Sequence, residues 1–181
     1  MKLGGIEFGG RLGGHKIINQ PADKMPQDLA SAIGAINSLN YGATYEPIWY
    51  VSNQLVNGMN HVLICKELRS TKDFDTMIVG LIVNIPPGSV DGKGAKIVEI
   101  IEEAKLDEEV RIAFNDARKQ LLGNEYKAIL HMGNQVVRGI NYYIVCQVKG
   151  NYSNAQPYAV MLVVNSFSGV NTVVAVERIE P

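Results

Sequence analysis

The sequence contains one supersecondary unit twice, at an offset of 81 residues. Residues 54–63 and 135–144 both read Gln-x-Val-x-Gly-x-Asn and then turn apolar. The match runs without a gap when residues 42–84 are paired with residues 123–165, and 13 positions are identical. A gap-free match of that length indicates an internal duplication. We therefore expect two small domains, residues 1–102 and 103–181.

The junction between the two copies allows two interpretations. Residues 98–102 resemble residues 176–180 at an offset of 78, which makes 95–102 the last strand of copy one. Gly94 also lies 81 residues after Gly13, so the same segment could instead be the first strand of copy two. We favour the first interpretation, because a sheet that lacked its last strand would keep an unpaired edge.

Each copy begins with a segment of helical periodicity. The first is predicted at about 26–40 and the second at about 103–122, with apolar residues three to four positions apart. Gly42 and Gly123 follow where a left-handed residue commonly ends a helix. The apolar stripes consist of Leu29, Ile33 and Ile36 in copy one, and Leu106, Val110, Phe114, Ala117 and Leu121 in copy two.

Four segments of strand character follow each helix, rich in Val, Ile and Tyr and separated by turn residues. Pro47 and Pro157 would remove a ladder hydrogen bond, so we expect a bulge or a strand end at each. We predict an α+β fold in which each domain packs one long α-helix on a curved antiparallel β-sheet. The predicted strands are 44–56, 59–69, 75–85 and 95–102 in copy one, and 125–137, 140–149, 156–166 and 171–179 in copy two.

The N-terminal segment, residues 1–20, holds three glycine pairs and little apolar material between them. We expect a flexible arm rather than a part of the core.

Composition argues against several function classes. The net charge is −1, from 17 basic and 18 acidic residues, and no long block of one sign suggests nucleic-acid binding. No apolar run has the length of a membrane span, and the Met1 end has no signal-peptide core. We therefore expect a soluble, cytoplasmic chain without a membrane partner, or a secreted one if a signal has been removed.

Reactive side chains give no catalytic pattern. His15, His61 and His131 are scattered without metal-ligand spacing. Cys65 and Cys146 occupy equivalent positions in apolar runs, which favours buried thiols over a disulfide. We expect no metal, no cofactor and no enzymatic activity. Helix-on-sheet folds that act as hydratases or isomerases need a polar pocket between helix and sheet, and the helix faces here look apolar.

The motif and the Asn-Tyr-Tyr-Ile that follows it in copy two resemble the cystatin superfamily of cysteine-protease inhibitors, most closely the disulfide-free stefin type. Gly13-Gly14, followed six residues later by Pro21-Ala22, is similar to the way the stefin chain enters its helix. The resemblance implies two tandem cystatin-like domains. It also implies a wedge, made of an N-terminal glycine trunk and two hairpins, that fills the cleft of a papain-like protease without reacting with the catalytic thiol.

The resemblance assigns protease-binding residues position by position. The trunk corresponds to Gly13 and Gly14. In copy one the two hairpins correspond to Gln54, Leu55, Val56, Asn57 and Gly58, and to Pro86, Pro87 and Gly88. In copy two they correspond to Gln135, Val136, Val137, Arg138 and Gly139, and to the turn at Phe167.

Some residues depart from the family pattern. Copy two has no free N-terminus for a trunk, and Arg138 puts a charge on its tip. The only tryptophan, Trp49, falls in a predicted strand rather than in a second hairpin. Two alternatives to thiol-protease inhibition therefore stay open: a non-inhibitory protein-binding module, and an inhibitor of another peptidase class such as a metallocarboxypeptidase.

Overall fold

The structure is a computed structural model, and it describes residues 14–71 and 75–179. The trunk residue Gly13 and the rest of the predicted arm up to it lie outside the described residues. Within the described chain there are two compact units, residues 14–102 and 103–179. Each unit contains one antiparallel sheet.

Within its described residues, 14–71 and 75–102, the first unit contains five strands, one α-helix and a short 3-10 turn at Ala22–Lys24. The strands are antiparallel and follow the order β1-β2-β3-β4-β5 in the sheet. Its elements are β1 Lys16–Pro21, α1 Gln27–Leu39, β2 Ala43–Val56, β3 Gly58–Arg69, β4 Thr76–Ile85 and β5 Lys96–Ile101.

The second unit contains one α-helix and four strands within its described residues. Its sheet is antiparallel and follows the order β6-β7-β8-β9. Its elements are α2 Glu108–Gln120, β6 Asn124–Val137, β7 Gly139–Gly150, β8 Tyr158–Phe167 and β9 Val170–Arg178.

The expected fold, with one long helix as the main feature of each domain, is wrong. The chain is mostly antiparallel sheet, at 55% strand and 18% helix, in sheets of five and four strands. Each helix has only 13 residues, whereas β2 and β6 have 14 residues each. Because a strand rises more than twice as far per residue as a helix, the strands are much longer than the helices they pack against.

Hydrogen bonds next to the helix ends explain why the helices are shorter than predicted. Ala104 lies before α2 and donates its N–H to the Ala128 oxygen at 2.8 Å. This segment therefore bonds to strand β6 and does not extend the helix. At the end of α1, Asn40 is extended and its Oδ1 accepts the Gly42 N–H at 3.2 Å. Gly42 therefore has no positive φ and the cap predicted there is wrong, whereas Gly123 has φ +86°.

The strand predictions agree with the structure to within two residues at every end. β5 pairs with β4, with Ile101 opposite Gly80, which confirms that 95–102 supplies the last strand of the first sheet. The register of β2 shifts after Pro47, and Pro157 directly precedes β8. Both prolines therefore lie where a missing N–H is tolerated.

The prediction of a flexible arm is wrong for the end of that segment, because Lys16–Pro21 forms β1. Ile17 lies opposite Ser52 in β2, and the Trp49 indole N–H donates to Asn19 Oδ1 at 2.9 Å. Two adjacent β-branched residues, Ile17 and Ile18, favour a strand more than the nearby glycines oppose it.

Each helix packs one apolar stripe against its own sheet. In the first unit the stripe is Leu29, Ala32 and Ile33, and in the second it is Val110, Ala113, Phe114 and Ala117. Cys65 and Cys146 are free and buried in the two cores, which confirms the expectation of buried thiols. Burial raises the pKa of both thiols, so neither is a reactive nucleophile. Neither helix of the described chain is long and apolar enough to cross a membrane.

Candidate functional site

Three segments meet at one end of the first sheet: the start of β1, the β2–β3 turn and the loop after β4. Gly14 lies beside Gln54, since a Cβ on Gly14 would be 3.6 Å from Gln54 Nε2. Gly58 lies against Ile85 and Pro86 at the end of β4. The structure thus brings the described trunk residue, the first hairpin and the second predicted loop of copy one together.

Gly58 makes the contact between the two loops possible. Its φ is +89°, and a Cβ there would lie 2.2 Å from the Ile85 carbonyl oxygen and 3.0 Å from the Pro86 Cα. No side chain fits at that distance from rigid backbone. The glycine of the motif is therefore a packing requirement, and a substitution there would disturb the fold as well as the tip.

Asn84 in β4 fixes the same turn. Its Nδ2 donates to the Asn57 carbonyl oxygen at 3.2 Å and to Asn60 Oδ1 at 2.9 Å. Asn84 is buried, so these bonds form away from competing water. This amide holds the tip of the β2–β3 hairpin onto the neighbouring strand.

The tip itself is apolar and uncharged. Leu55 is 80% exposed, Val56 is about half exposed and Asn57 forms the turn. Beside it, Pro86-Pro87-Gly88 forms a second turn, closed by a Ser89 N–H to Pro86 O bond of 3.3 Å. Exposed large apolar side chains grouped beside rigid turns are typical of a surface that docks a partner.

The tip of the second unit is built in the same way. Gly139 has φ +91°, and a Cβ there would lie 2.3 Å from the Ser166 carbonyl oxygen and 2.9 Å from the Phe167 Cβ. Asn165 repeats the amide contacts, donating to the Arg138 oxygen at 3.2 Å and to Asn141 Oδ1 at 2.9 Å. Val136 is 81% exposed and Val137 about half exposed.

Charge distinguishes the second tip from the first. The Arg138 guanidinium lies 4.9 Å from the centre of the Phe167 ring, a cation–π contact that joins the two loops. The β8–β9 turn is tight, with positive φ at both Ser168 and Gly169. Within the described part of this unit no strand precedes α2, so Gly14 has no counterpart there.

Beside each tip lies a polar cluster that was not predicted from the sequence. In the first unit, Tyr50 Oη and His61 Nδ1 are 2.7 Å apart, and Asn53 Nδ2 donates to Tyr50 Oη at 3.1 Å. Both rings are almost fully buried. Burial lowers the pKa of His61, and the negative charge of Asp28 opposes part of that effect.

The second unit holds the same residue types with the tyrosine and histidine exchanged. His131 occupies the position of Tyr50 and Tyr142 that of His61, and their rings are 6.2 Å apart. His131 Nε2 lies 2.8 Å from Asn134 Oδ1. Burial raises the pKa of Tyr142, and a hydrogen bond to Glu109 adds to the rise.

A signal for this cluster was present in the sequence. The offset of 81 pairs Tyr50 with His131 and His61 with Tyr142. A reciprocal exchange of this kind indicates that the two side chains touch, which is how co-varying positions are normally interpreted. The same offset pairs Asn53 with Asn134 and Asp28 with Glu109, which completes the cluster.

The histidines do not come together. His15 Nδ1 lies 3.1 Å from Ser52 Oγ, whereas His61 and His131 belong to the clusters of separate units. In the described ranges, no three His, Cys, Asp or Glu side chains are arranged to hold a metal ion.

Comparison of the sequence with protein-family models and with curated proteins finds no match.

Proposed function

We propose that this protein is a reversible, tight-binding inhibitor of papain-like cysteine proteases, and that it acts through the tips of its β-hairpins. The observation that carries the proposal is the meeting of Gly14, the β2–β3 turn and the loop at Pro86 at one end of the first sheet. These are the three segments that the resemblance of the motif to cystatins implies for a wedge.

The chemistry of the tip suits entry into a protease cleft. Leu55 and Val56 offer apolar surface, and Asn57 offers an uncharged turn. The turn is held in advance by Asn84 and by the close contact at Gly58, so little conformational entropy remains to be lost on binding. The tip brings no nucleophile, which fits blocking of the cleft rather than reaction with the thiol.

Titration of active papain with the full chain tests the proposal. We expect inhibition that is reversed on dilution. Papain whose thiol has been blocked by iodoacetamide should still bind in a pull-down, since the wedge does not need the thiol. Full papain activity at saturating protein would contradict the proposal, and a non-inhibitory protein-binding module would then be the better description.

A matched pair of variants connects the inhibition to the tip. Leu55→Asp puts a carboxylate where the interface would be dry, and we expect at least about a tenfold loss of inhibition, because an unpaired buried charge costs several kcal/mol. Leu39→Asp is the control. Leu39 is equally exposed, at 79%, but lies at the other end of α1, about 20 Å from the helix start. Equal inhibition by the two variants would show that the tip is not the contact surface.

A cytoplasmic location is part of the same proposal. Its support is that Cys65 and Cys146 are unpaired thiols in separate units. Free thiols are typical of a reducing compartment, although buried ones also persist elsewhere.

A further inference from the structure

The first unit contains a cavity of about 490 Å³ between the start of α1 and the base of the β2–β3 turn. Its apolar wall includes Leu55, Met59 and Ile85, and its polar side includes Tyr50 and His61. Cavities of 300–1,000 Å³ with apolar walls and a few convergent polar groups are typical of small-molecule sites.

The hydrogen bonds in the cluster are compatible with a His61 proton on the nitrogen that faces away from Tyr50. The Tyr50 hydroxyl accepts from Asn53 Nδ2 and lies 2.7 Å from His61 Nδ1, so its own proton is free to be donated to that nitrogen. A neutral imidazole that accepts at Nδ1 carries its proton on Nε2. In that tautomer His61 presents an N–H donor on the other side of its ring.

His61 is one of the residues that line the cavity. The His61 side chain is only 5% exposed, and its Nε2 has no partner among the residues that the structure describes. In that part of the chain, Asn171 Oδ1 is the one side-chain atom that is both sealed from solvent and without a hydrogen bond. We place His61 Nε2 on the side of the ring that meets the cavity.

The second unit lacks such a donor in its own cluster. His131 is engaged through Nε2 by Asn134 Oδ1 at 2.8 Å, and Tyr142 bonds Glu109. With the His61 proton on Nε2, the exchange of tyrosine and histidine leaves that donor open in the first unit, whereas the same nitrogen of His131 is engaged in the second. His131 consequently serves as an internal reference.

We propose that the cavity beside the first tip binds a small, neutral organic molecule with an apolar body and one carbonyl-type acceptor, which takes the hydrogen bond from His61 Nε2. Asp28 at the rim disfavours an anion. A cation would have no lone pair for the N–H. The cavity shares Leu55 and the Pro86–Gly88 turn with the proposed protease contact, but ligand binding at His61 and inhibition of papain are separate measurements, so either result can fail without the other.

Acetophenone and ethylbenzene form a matched pair of probes, since acetophenone has a carbonyl group where ethylbenzene has a CH₂ group. Each would be titrated into the full chain while the histidine ring nitrogens are followed by ¹⁵N NMR. We expect saturable binding of acetophenone with a shift at His61 Nε2, about tenfold weaker binding of ethylbenzene, and an unmoved His131, because one unmade hydrogen bond at a buried donor costs about that factor. No saturable shift at His61, or equal binding of the two probes, would overturn the proposal.

Two variants complete the test. His61→Phe keeps an aromatic ring but removes the donor, so the preference for acetophenone over ethylbenzene should disappear. His131→Phe makes the same change in the second unit and should keep the preference. A preference that survives in a folded His61→Phe protein would overturn the proposal. If that variant does not fold, the ring-nitrogen shifts of the wild-type protein decide the outcome alone.

Discussion

The side-chain amide of Asn84 donates a hydrogen bond to the backbone oxygen of Asn57, at 3.2 Å, and thereby ties the turn of one hairpin to the adjacent strand. Asn165 makes the same bond to the oxygen of Arg138, also at 3.2 Å. Asn84 also bonds Asn60, and Asn165 bonds Asn141. These shared contacts explain why the pair Asn84 and Asn60 recurs as Asn165 and Asn141 at the offset of 81.

Replacement of Asn84 by alanine should therefore loosen the first tip. We expect a loss of about 1–2 kcal/mol in the free energy of unfolding, because the Asn57 oxygen and Asn60 lose a buried partner. Urea unfolding measures the loss, and amide exchange at Gly58 should become faster. Asn165→Ala should have a similar cost and speed exchange at Gly139 instead. Unchanged exchange at both glycines would show that the amides do not fix the turns.

The two exposed glycine turns of the first unit should respond differently to alanine. Gly58 and Gly88 both have positive φ, so each substitution incurs a backbone cost of about 1–2 kcal/mol. At Gly58 the new Cβ would also lie 2.2 Å from the Ile85 oxygen, whereas nothing lies within 4 Å at Gly88. We expect Gly58→Ala to lower the melting temperature clearly more than Gly88→Ala. Equal melting temperatures would contradict the close contact.

Stability should decrease in mild acid because of His61. Burial lowers the pKa of His61 in the folded chain below its ordinary value of 6.5, so the unfolded chain takes up this proton first as the pH falls. The free energy of unfolding is thus unaffected by this group above pH 6.5 and decreases as the pH drops from there towards the folded pKa. Tyr50 and Asp28 are the groups that face the ring.

Urea unfolding at several pH values, with His61→Phe as the comparison, measures this effect. The variant should show a shallower decrease below pH 6.5, and some decrease should remain because burial lowers the pKa of His15 in the same direction. Identical curves for the two proteins would show that His61 takes up its proton equally easily in the folded and unfolded chains.

The sequence predicted the strands well because their information is local. Alternating Val, Ile and Tyr between turn residues sets each strand, and the repeat doubles the signal. The ends of α1 agree with the prediction to within one residue, whereas α2 begins at Glu108 rather than at 103. The start of α2 depends on a contact distant in sequence, the hydrogen bond of Ala104 to Ala128. β1 was missed because the glycines before it suggested a flexible segment, in spite of Ile17 and Ile18. The strand forms because it pairs with β2, which is distant in sequence.

The candidate site was likewise predicted only in part. The motif identified the hairpin tips, because a turn is determined by residues that are adjacent in sequence. The polar cluster joins Asp28 on a helix with Tyr50 and His61 on two strands, and only the folded sheet brings these together. The expectation of purely apolar helix faces overlooked the first turn of α1, where Asp28 lines the cavity. The reciprocal tyrosine–histidine exchange would have indicated the contact.

The two tips should not be equivalent as inhibitors. The first has Gly14 beside it and no charge, whereas Arg138 stacks on Phe167 at the second. A guanidinium at an interface is favourable only opposite a matched acidic group. Leu55→Asp should therefore abolish most inhibition of papain, whereas Val136→Asp should change it by less than about twofold, since mild effects are usual away from the contact surface. Arg138→Asn should let the second tip inhibit a wider range of papain-like enzymes. This is measured against a set of such enzymes in a protein that also carries Leu55→Asp, so that the first tip does not contribute. Loss of inhibition with Val136→Asp and its retention with Leu55→Asp would reverse the assignment of the working tip.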